Sequence, residues 1–417
     1  MLKVNYKIHI SAQALVERLF QTSSKRKRYY IRTISQICEG ILGARSPLLS
    51  DIARIVFPNM DLSSAIRGLS RLLSKAQVPW DDLREEMLAV AAAELREDDF
   101  IAFDPGDITK PRARKMEGLH KVHDGSEDTC EYGFEVFSAE VISYRCGRVL
   151  HFPIYQAVST AGCEDYLSQN GEIAFAVHAI LSHVNNRGIW LFDRAHDRSI
   201  LFKKIFFIKT GMRWILRANE NRVLELENGR KVKIFDHANE LLKGAFKEYQ
   251  ITAPQRSGYL KTCNFAGKLL VDNKPIEVTI VAAQDVRNEG PVLLITPLKV
   301  VSDEMAIKIF SHYLTRWGKE EGYRFEKSFL NLEKIRTHKL EATRNLALLV
   351  QLVYLWVAIT YRSAPTILEA YADQALKHET SIDSVSYRYY RVAQAMRHQL
   401  FEQYPQRAKY LMSLSAA

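Results

Sequence analysis

The sequence predicts an α/β protein built on a mixed sheet, and three observations support this. The apolar runs at 100–103 and 188–192 are unbroken, which is typical of strands covered on both faces. Two further strands are predicted between them, at 132–142 and 149–157, and 171–184 has the pattern of a helix. The order strand, strand, strand, helix, strand is that of an α/β unit, in which sites form where neighbouring parallel strands end.

The charge is concentrated at the start of the chain. The 417 residues carry a formal net charge of +10, and residues 1–80 hold 13 Lys and Arg against four acidic residues. We therefore expect a basic helical unit that binds DNA, since Lys and Arg neutralise phosphates. Its densest run consists of Lys25, Arg26, Lys27 and Arg28. A solvated helix end is the alternative interpretation of that run. Ser63 or Ser64 is expected to cap one helix of the unit.

Composition excludes several classes of protein. With 47% hydrophobic and 25% charged residues, the chain is neither a disordered tail nor a disulfide-stapled miniprotein. Five cysteines without a C-x-x-C pair predict a reduced protein of the cytoplasm. The apolar stretch 346–359 falls short of the roughly 18 residues that span a bilayer, so we expect a buried core helix and no membrane partner.

Two aspartates follow apolar runs. Asp104 comes directly after 100–103, and Asp193 directly after 189–192. Asp104 and the nearby Asp107 have an alternative role in a Pro-Gly turn, and Asp193 has one as a helix cap. Two carboxylates at equivalent strand ends nevertheless favour a shared site. Asp104 is preferred over Asp107 because it follows the apolar run without a gap.

A third acid lies on a predicted helix that runs from Ser302 to about Leu330. On a continuous helix Tyr313, Arg316, Glu320 and Lys327 would share one narrow face about 21 Å long, bordered by Arg324. A solvated stripe with an Arg316–Glu320 pair would stabilise the helix by only a few tenths of a kcal/mol. The other interpretation is a metal ligand beside a phosphate backbone, and the spacing Y-x2-R-x3-E-x6-K favours it.

That spacing resembles the signature of a group of bacterial insertion-sequence transposases, the fourth family, marked by the letters YREK. Over about residues 98–360 the chain is similar to a cut-and-paste DDE transposase with an RNase H-like fold. The resemblance implies that Asp104 in "IAFDPGDITK", Asp193 in "WLFDRAHD" and Glu320 in "YLTRWGKEEGYRFEK" are the catalytic, metal-binding acids. It implies DNA-backbone contacts for Tyr313, Arg316 and Lys327, and we expect DNA contacts from Arg324 and from Arg194 of the D-R-x-x-D motif.

The family also implies a β-rich insertion between Asp193 and Glu320. Asn228-Gly229 lies between two apolar-alternating segments and predicts a hairpin, and 261–271, 276–283 and 292–296 predict further strands. One position departs from the better-known relatives, which have a tryptophan on the last insertion strand where this chain has Val292. In those relatives the tryptophan stacks on a flipped base near the hairpin end. In this chain, either another aromatic residue stacks on that base or base extrusion works differently.

The chemistry follows from the donor set. Three carboxylates suit Mg²⁺, with Mn²⁺ as a substitute. Such ions activate a water or a 3′-hydroxyl in an in-line displacement, and the resemblance implies nicking at the transposon end, a hairpin intermediate and strand transfer. The competing functions are an RNase H-like nuclease without strand transfer and a domesticated DNA-binding relic. The gene of an active transposase would be flanked by terminal inverted repeats.

The sequence also predicts partners and a division into domains. The expected partners are duplex DNA, as transposon ends and target, and a second copy of the chain in a synaptic homodimer, at the bacterial nucleoid. His120-x-x-His123-Asp124 is interpreted as a surface turn rather than a zinc site, and the Tyr- and Arg-rich segment 387–391 as a dimer or DNA contact or a plain helix surface. The expected divisions are a basic helical domain (1–80), an acidic connector (81–98), a catalytic core (99–219 and 299–335), the insertion (220–298) and a helical C-terminal region (336–417).

Overall fold

The computed structural model describes residues 11–20, 25–124, 129–206, 211–244, 249–253, 256–272, 274–285, 290–375 and 381–403. One sheet joins all the strands. They are β1 (Phe100–Thr109), β2 (His120–Asp124), β3 (Thr129–Arg145), β4 (Arg148–Ser159), β5 (Ile189–Phe192), β6 (Trp214–Arg217), β7 (Val223–Glu225), β8 (Lys231–Lys233), β9 (Tyr249–Ala253), β10 (Arg256–Val271), β11 (Lys274–Asp285) and β12 (Val292–Thr296).

The first half of the sheet has the RNase H-like arrangement. Its order is β4-β3-β1-β5-β6, in which β1, β3 and β4 are antiparallel, while β5 is parallel to β1 and β6 is parallel to β5. Side chains of β1 alternate between two apolar clusters, with Ile101 and Phe103 on one face and Phe100 and Ala102 on the other. Burial on both faces explains the unbroken apolar runs and confirms the predicted fold class.

β1 is longer than its apolar run. It continues through Asp104-Pro105-Gly106-Asp107 to Thr109, because its antiparallel partner β3 continues alongside it. The Pro-Gly turn considered for this segment is therefore wrong. Parallel pairing with β5 ends earlier, at Ala102, so Pro105 lies where no ladder bond to β5 is required.

The helices that pack around the sheet have the following bounds: α1 (Ala12–Phe20), α2 (Lys25–Ala44), α3 (Leu49–Val56), α4 (Leu62–Leu73), α5 (Trp80–Ala93), α6 (Gln169–Val184), α7 (Ser199–Leu201), α8 (Ile234–Lys243), α9 (Asp303–Leu314), α10 (Trp317–Arg324), α11 (Leu340–Ser363), α12 (Pro365–Ala375) and α13 (Tyr389–Gln403). α11 is long and apolar enough to cross a membrane by length and composition, but 94% of its most apolar 18-residue window is buried. The expected core helix is confirmed.

The basic N-terminal region contains α1 to α4 and the acidic connector forms most of α5, and the apolar side chains of these helices join the same core as α11. The expected cap of α4 is wrong, because Asp61 rather than a serine caps it, accepting a hydrogen bond from the Ser64 amide at 2.8 Å. Arg28 is exposed. The side chains of Lys25, Arg26 and Lys27 lie outside the described residues, so their predicted DNA contacts remain predictions.

The region between the second aspartate and the glutamate extends the core sheet. Strand β12 pairs with β6, and β11, β10, β7 and β8 follow in that order. The predicted hairpin forms β7 and β8, with Gly229 at a φ of +78° in its turn. The predicted strands are present as β10 to β12, and Val292 begins β12 opposite Ala283. Helix α8 was not predicted.

The predicted continuous helix from Ser302 to Leu330 is wrong. α9 ends at Leu314, α10 begins at Trp317, and residues Phe325–Phe329 form a π-helix. Each change alters the rotation per residue, so the four polar side chains do not form the regular stripe that a straight α-helix would give.

Two further segments differ from their interpretation. His120 and His123 lie on β2 rather than in a turn, and His120 Nδ1 is 2.8 Å from the Thr160 hydroxyl. Tyr387 and Tyr389 are buried against Phe325, so these two rings form part of the core rather than an exposed contact surface.

Candidate active site

Asp104 lies within β1 and Asp193 directly follows β5, so the two acids come from neighbouring parallel strands as predicted, although β1 does not end at Asp104. Asp104 follows the end of the β1–β5 pairing by two residues, and Asp193 is the first residue after β5. Both carboxylates are partly accessible, with side chains 27% and 30% exposed. The third acid, Glu320, is equally accessible and comes from α10, which packs on β1, β3 and β4.

The guanidinium of Arg316 joins this group of acids. Arg316 Nη2 donates to Glu320 Oε1 at 2.6 Å, and Nη1 lies 3.5 Å from Asp104 Oδ2. Burial lowers the pKa of Arg316, but the charges of Asp104, Glu320 and Asp193 outweigh it and raise that pKa above its ordinary value. One largely buried cation therefore interacts with three carboxylates that are up to 216 residues apart in sequence.

The two aspartates have opposite pKa shifts. Burial, aided by the charge of Asp193 and opposed by Arg316, raises the pKa of Asp104 to about 6. Burial also raises the pKa of Asp193, but a hydrogen bond from His196 Nδ1 outweighs it, so that pKa lies below its ordinary value. Asp193 is thus held as a carboxylate, whereas the ionised form of Asp104 depends more on a nearby cation.

His196 and Lys319 are site residues that the sequence analysis missed. His196 is buried against the rings of Phe103 and Phe192 and orients the Asp193 carboxylate. Lys319 is 3% exposed, and its charge lowers the pKa of Asp104. The histidine of "DRAHD" was a visible signal, because a residue three positions after a capping aspartate faces back toward it.

Asp107 lies in a separate ion cluster. Its carboxylate accepts a hydrogen bond from Lys327 Nζ at 3.2 Å, and its backbone amide donates to the Tyr323 hydroxyl at 2.8 Å. Lys327 also lies 3.0 Å from Glu333. A Cβ on Gly106 would come within 2.6 Å of the Tyr323 ring, so only glycine permits this close packing of α10 on β1. Asp104, not Asp107, faces Arg316.

The other predicted DNA-contacting side chains differ in exposure. Arg324 is 61% exposed beside Glu321, and Arg194 is 50% exposed with Glu220 at 3.7 Å. Tyr313 is buried, and burial raises the pKa of its hydroxyl, which interacts with Arg316. Tyr313 therefore interacts with the guanidinium, and its DNA contact stays a prediction.

The side chains around Arg316 decide whether a metal ion fits this site. Among the residues that the structure describes, no group of three or more His, Cys, Asp and Glu side chains is close enough to hold a metal ion. Arg316 lies where the acids would otherwise approach one another. The donor set of Asp104, Asp193 and Glu320 still suits a hard divalent cation, provided that Arg316 moves aside.

Comparison with known proteins gave matches among solved structures only. No protein-family model matches the chain, and no curated protein matches it. Among solved structures, a "piggyBac transposase synaptic complex with hairpin DNA" is 10% identical, with a TM-score of 0.46, over 97% of this chain and 82% of that chain. The assignment of an RNase H-like core rests on the strand order and pairing of this sheet.

Proposed function

We propose that this chain is a DNA transposase of the DDE type, which cuts DNA at the ends of an insertion sequence and joins those ends to target DNA. One observation carries the proposal. Asp104, Asp193 and Glu320, identified by motif spacing, come from two adjacent parallel strands and a helix, and all three lie around Arg316 in an RNase H-like sheet.

In this proposal the three acids hold Mg²⁺ or Mn²⁺. A bound divalent ion supplies Lewis-acid activation of the attacking oxygen and charge stabilisation at the leaving oxygen. Asp193 is suited to this role because His196 keeps it ionised and oriented. Asp104 loses its raised pKa when a cation approaches, since the cation favours the ionised form.

Arg316 would act as a positioning group for DNA. Its side chain is 13% exposed, and its Nε is buried without a hydrogen-bond partner among the described residues. A DNA phosphate offers acceptor oxygens to the guanidinium nitrogens. Binding of the substrate would therefore draw Arg316 away from Glu320 and Asp104. Lys327, held by Asp107, would contact the backbone beside it.

The proposal places the protein at the nucleoid in the bacterial cytoplasm, as a homodimer that synapses two transposon ends. Two ends must be cut and joined together, which requires two active sites in one complex. The exposed Arg324 and Arg194, each beside one acidic neighbour, would add DNA contacts in the same region. The hairpin route and membership of the YREK group belong to the same proposal.

The test uses the full chain and labelled duplex DNA that carries the sequences flanking its gene. We expect Mg²⁺-dependent cuts at the ends by the wild type, and loss of more than about 100-fold in rate for Glu320→Gln, since even outer-shell changes cost about 10- to 100-fold. The matched control is Glu321→Gln, which changes the neighbouring carboxylate, paired with the exposed Arg324. DNA binding is measured in parallel for all three proteins.

Three outcomes would contradict the proposal. Cutting by Glu320→Gln at the rate of Glu321→Gln would remove Glu320 from the chemistry. Cutting without preference for the ends, and without joined products, would favour the nuclease. Binding without cutting by any of the proteins, in Mg²⁺ and in Mn²⁺, would identify a DNA-binding relic.

A further inference from the structure

A cleft rich in cations lies beyond the far end of β1. Its volume is about 710 Å³, and it opens between residues 109–116 and residues 333–338. The basic side chains that line it are Lys110, Arg112, Arg114, Lys115 and Arg336, whereas Glu333 is its one lining acid among the described residues.

The positive charge of this cleft is not compensated by that acid. The Glu333 carboxylate is already engaged, by Lys327 at 3.0 Å and by the Thr109 hydroxyl at 3.4 Å. Within the described part of the chain, Arg112, Lys115 and Arg336 are exposed and form no ion pair within 4 Å. A cation surface of this kind is expected to attract a polyanion.

Lys110 gives a second observation. It is 6% exposed, and its ammonium donates a hydrogen bond to the neutral backbone carbonyl of Glu333. Burial lowers the pKa of Lys110 to about 8, with Arg336 acting in the same direction and Glu333 opposing it. A buried lysine that faces another cation is stabilised when an anion enters between them.

The cleft adjoins the ion cluster of Asp107. Lys327 joins the two, since it pairs with Asp107 on β1 and with Glu333 at the cleft. Asp104 and Lys110 are six residues apart on one extended segment, which corresponds to about 20 Å. At 3.4 Å per base pair, that distance spans about six base pairs of duplex DNA.

We infer that this cleft binds the phosphate backbone of duplex DNA about six base pairs from the phosphate at the three acids. The register in base pairs rests on the proposed function, whereas the DNA-binding surface does not. A small anion would need one enclosed subsite, but the exposed cations line both walls of an open cleft. Arg114 stabilises the wall itself, donating to the carbonyl oxygens of Pro111 and Ala113 at 2.7 and 2.8 Å.

The test measures DNA affinity without divalent metal, so it does not depend on cleavage. The variant is Lys115→Gln/Arg336→Gln, which removes one exposed cation from each wall of the cleft. The matched control is Arg96→Gln/Lys308→Gln, which removes the same two residue types from exposed positions at the opposite end of β1. Lys308 is placed there by its helix neighbour His312, which packs on Phe100 with ring centroids 4.9 Å apart.

Fluorescence anisotropy at several salt concentrations gives the affinity and its salt dependence. Each lost phosphate contact is expected to lower the slope of log K against log [salt] by about 0.9, so the cleft variant should lose about 1.8. Its affinity at moderate salt should fall by about 10-fold or more, while the control stays near the wild type. Unfolding curves for both variants verify that each is folded.

A second readout locates the contact. Duplexes with one neutral methylphosphonate at successive positions should bind the wild type most weakly when the change is about six base pairs from the cut. The cleft variant should show no further loss at that position, because its partner cations are already absent.

The outcomes separate the two proposals. Equal slopes for the cleft variant and its control, in protein that still binds DNA, would overturn the cleft assignment whether or not the ends are cut. A lower slope for the cleft variant alone would support the assignment even if no protein cuts DNA. Absence of DNA binding by the wild type would overturn both.

Discussion

The D-R-x-x-D segment contains two ion pairs of opposite character, and they give the sharpest stability prediction. The Asp197 carboxylate is fully buried. It accepts hydrogen bonds from the Arg222 guanidinium and, at 2.6 Å, from the backbone amide of Asn219. Arg194 and Glu220, in the same two segments, form an exposed pair at 3.7 Å. Both pairs join the end of β5 to the start of the insertion, so they report on the same region.

Removal of one partner of a buried pair leaves an uncompensated buried charge. We expect Asp197→Ala and Arg222→Ala each to lower the free energy of unfolding by about 3 to 5 kcal/mol. The double variant should lose much less than the sum, because the penalty for the stranded charge is absent from it. For Arg194→Ala and Glu220→Ala, each change and the coupling should stay below about 1 kcal/mol.

The assay is urea unfolding at neutral pH, followed by far-ultraviolet circular dichroism, for both double-mutant cycles. The quantity compared is the coupling free energy of each pair. A coupling for Asp197 and Arg222 no larger than that for Arg194 and Glu220 would refute the reasoning. It would mean that burial of this carboxylate does not decide the strength of its pairing.

Two further predictions concern the packing of α10 and the π-helix that follows it. Burial raises the pKa of Glu326 to about 7 despite the charge of Lys319, so the folded protein keeps this proton while the unfolded chain releases it near pH 4.5. The stability that this group contributes therefore falls as pH rises from about 4.5 to 7. In urea titrations, the free energy of unfolding of Glu326→Gln relative to that of the wild type should be about 2 to 3 kcal/mol higher at pH 8 than at pH 5. An equal difference at both pH values would exclude this linkage. A Cβ at Gly322 would lie 2.5 Å from a Glu140 carboxylate oxygen, so Gly322→Ala should destabilise by about 1 to 3 kcal/mol. Gly68→Ala on α4, where an added Cβ meets nothing within 4 Å, should stabilise the protein by up to about 1 kcal/mol. Thermal unfolding of both variants measures these changes, and shifts of the two melting temperatures in the same direction would contradict the argument.

Elements with a local signal were predictable. The unbroken apolar runs identify β1 and β5, because a strand buried on both faces has no polar position to interrupt it. Asn228-Gly229 identifies the β7–β8 hairpin, because its turn needs the positive φ that Gly229 adopts. Apolar runs also located β3, β4 and β10 to β12, whereas β2, β6 and β9 were not predicted.

Other features depended on neighbours that the sequence does not reveal. The predicted straight helix after Ser302 ignores the docking of Gly318 under His151, where a Cβ would come within 2.5 Å of the ring. Tyr387 and Tyr389 have the composition of a contact surface, yet α11 and the π-helix bury them. The cap of α4 was misassigned because Asp61 and two serines were adjacent candidates of similar propensity.

The sequence by itself determined the apolar runs that precede Asp104 and Asp193, the basic N-terminal region and the spacing around Glu320, since each depends on residues close together in the chain. The tertiary structure alone decided which charges meet. It pairs Arg316 with Glu320 and Asp104, Lys327 with Asp107, and Arg222 with Asp197. It also brings 109–116 beside 333–338 to form the basic cleft. These contacts join positions up to 224 residues apart, and their strength depends on burial, which local sequence does not encode.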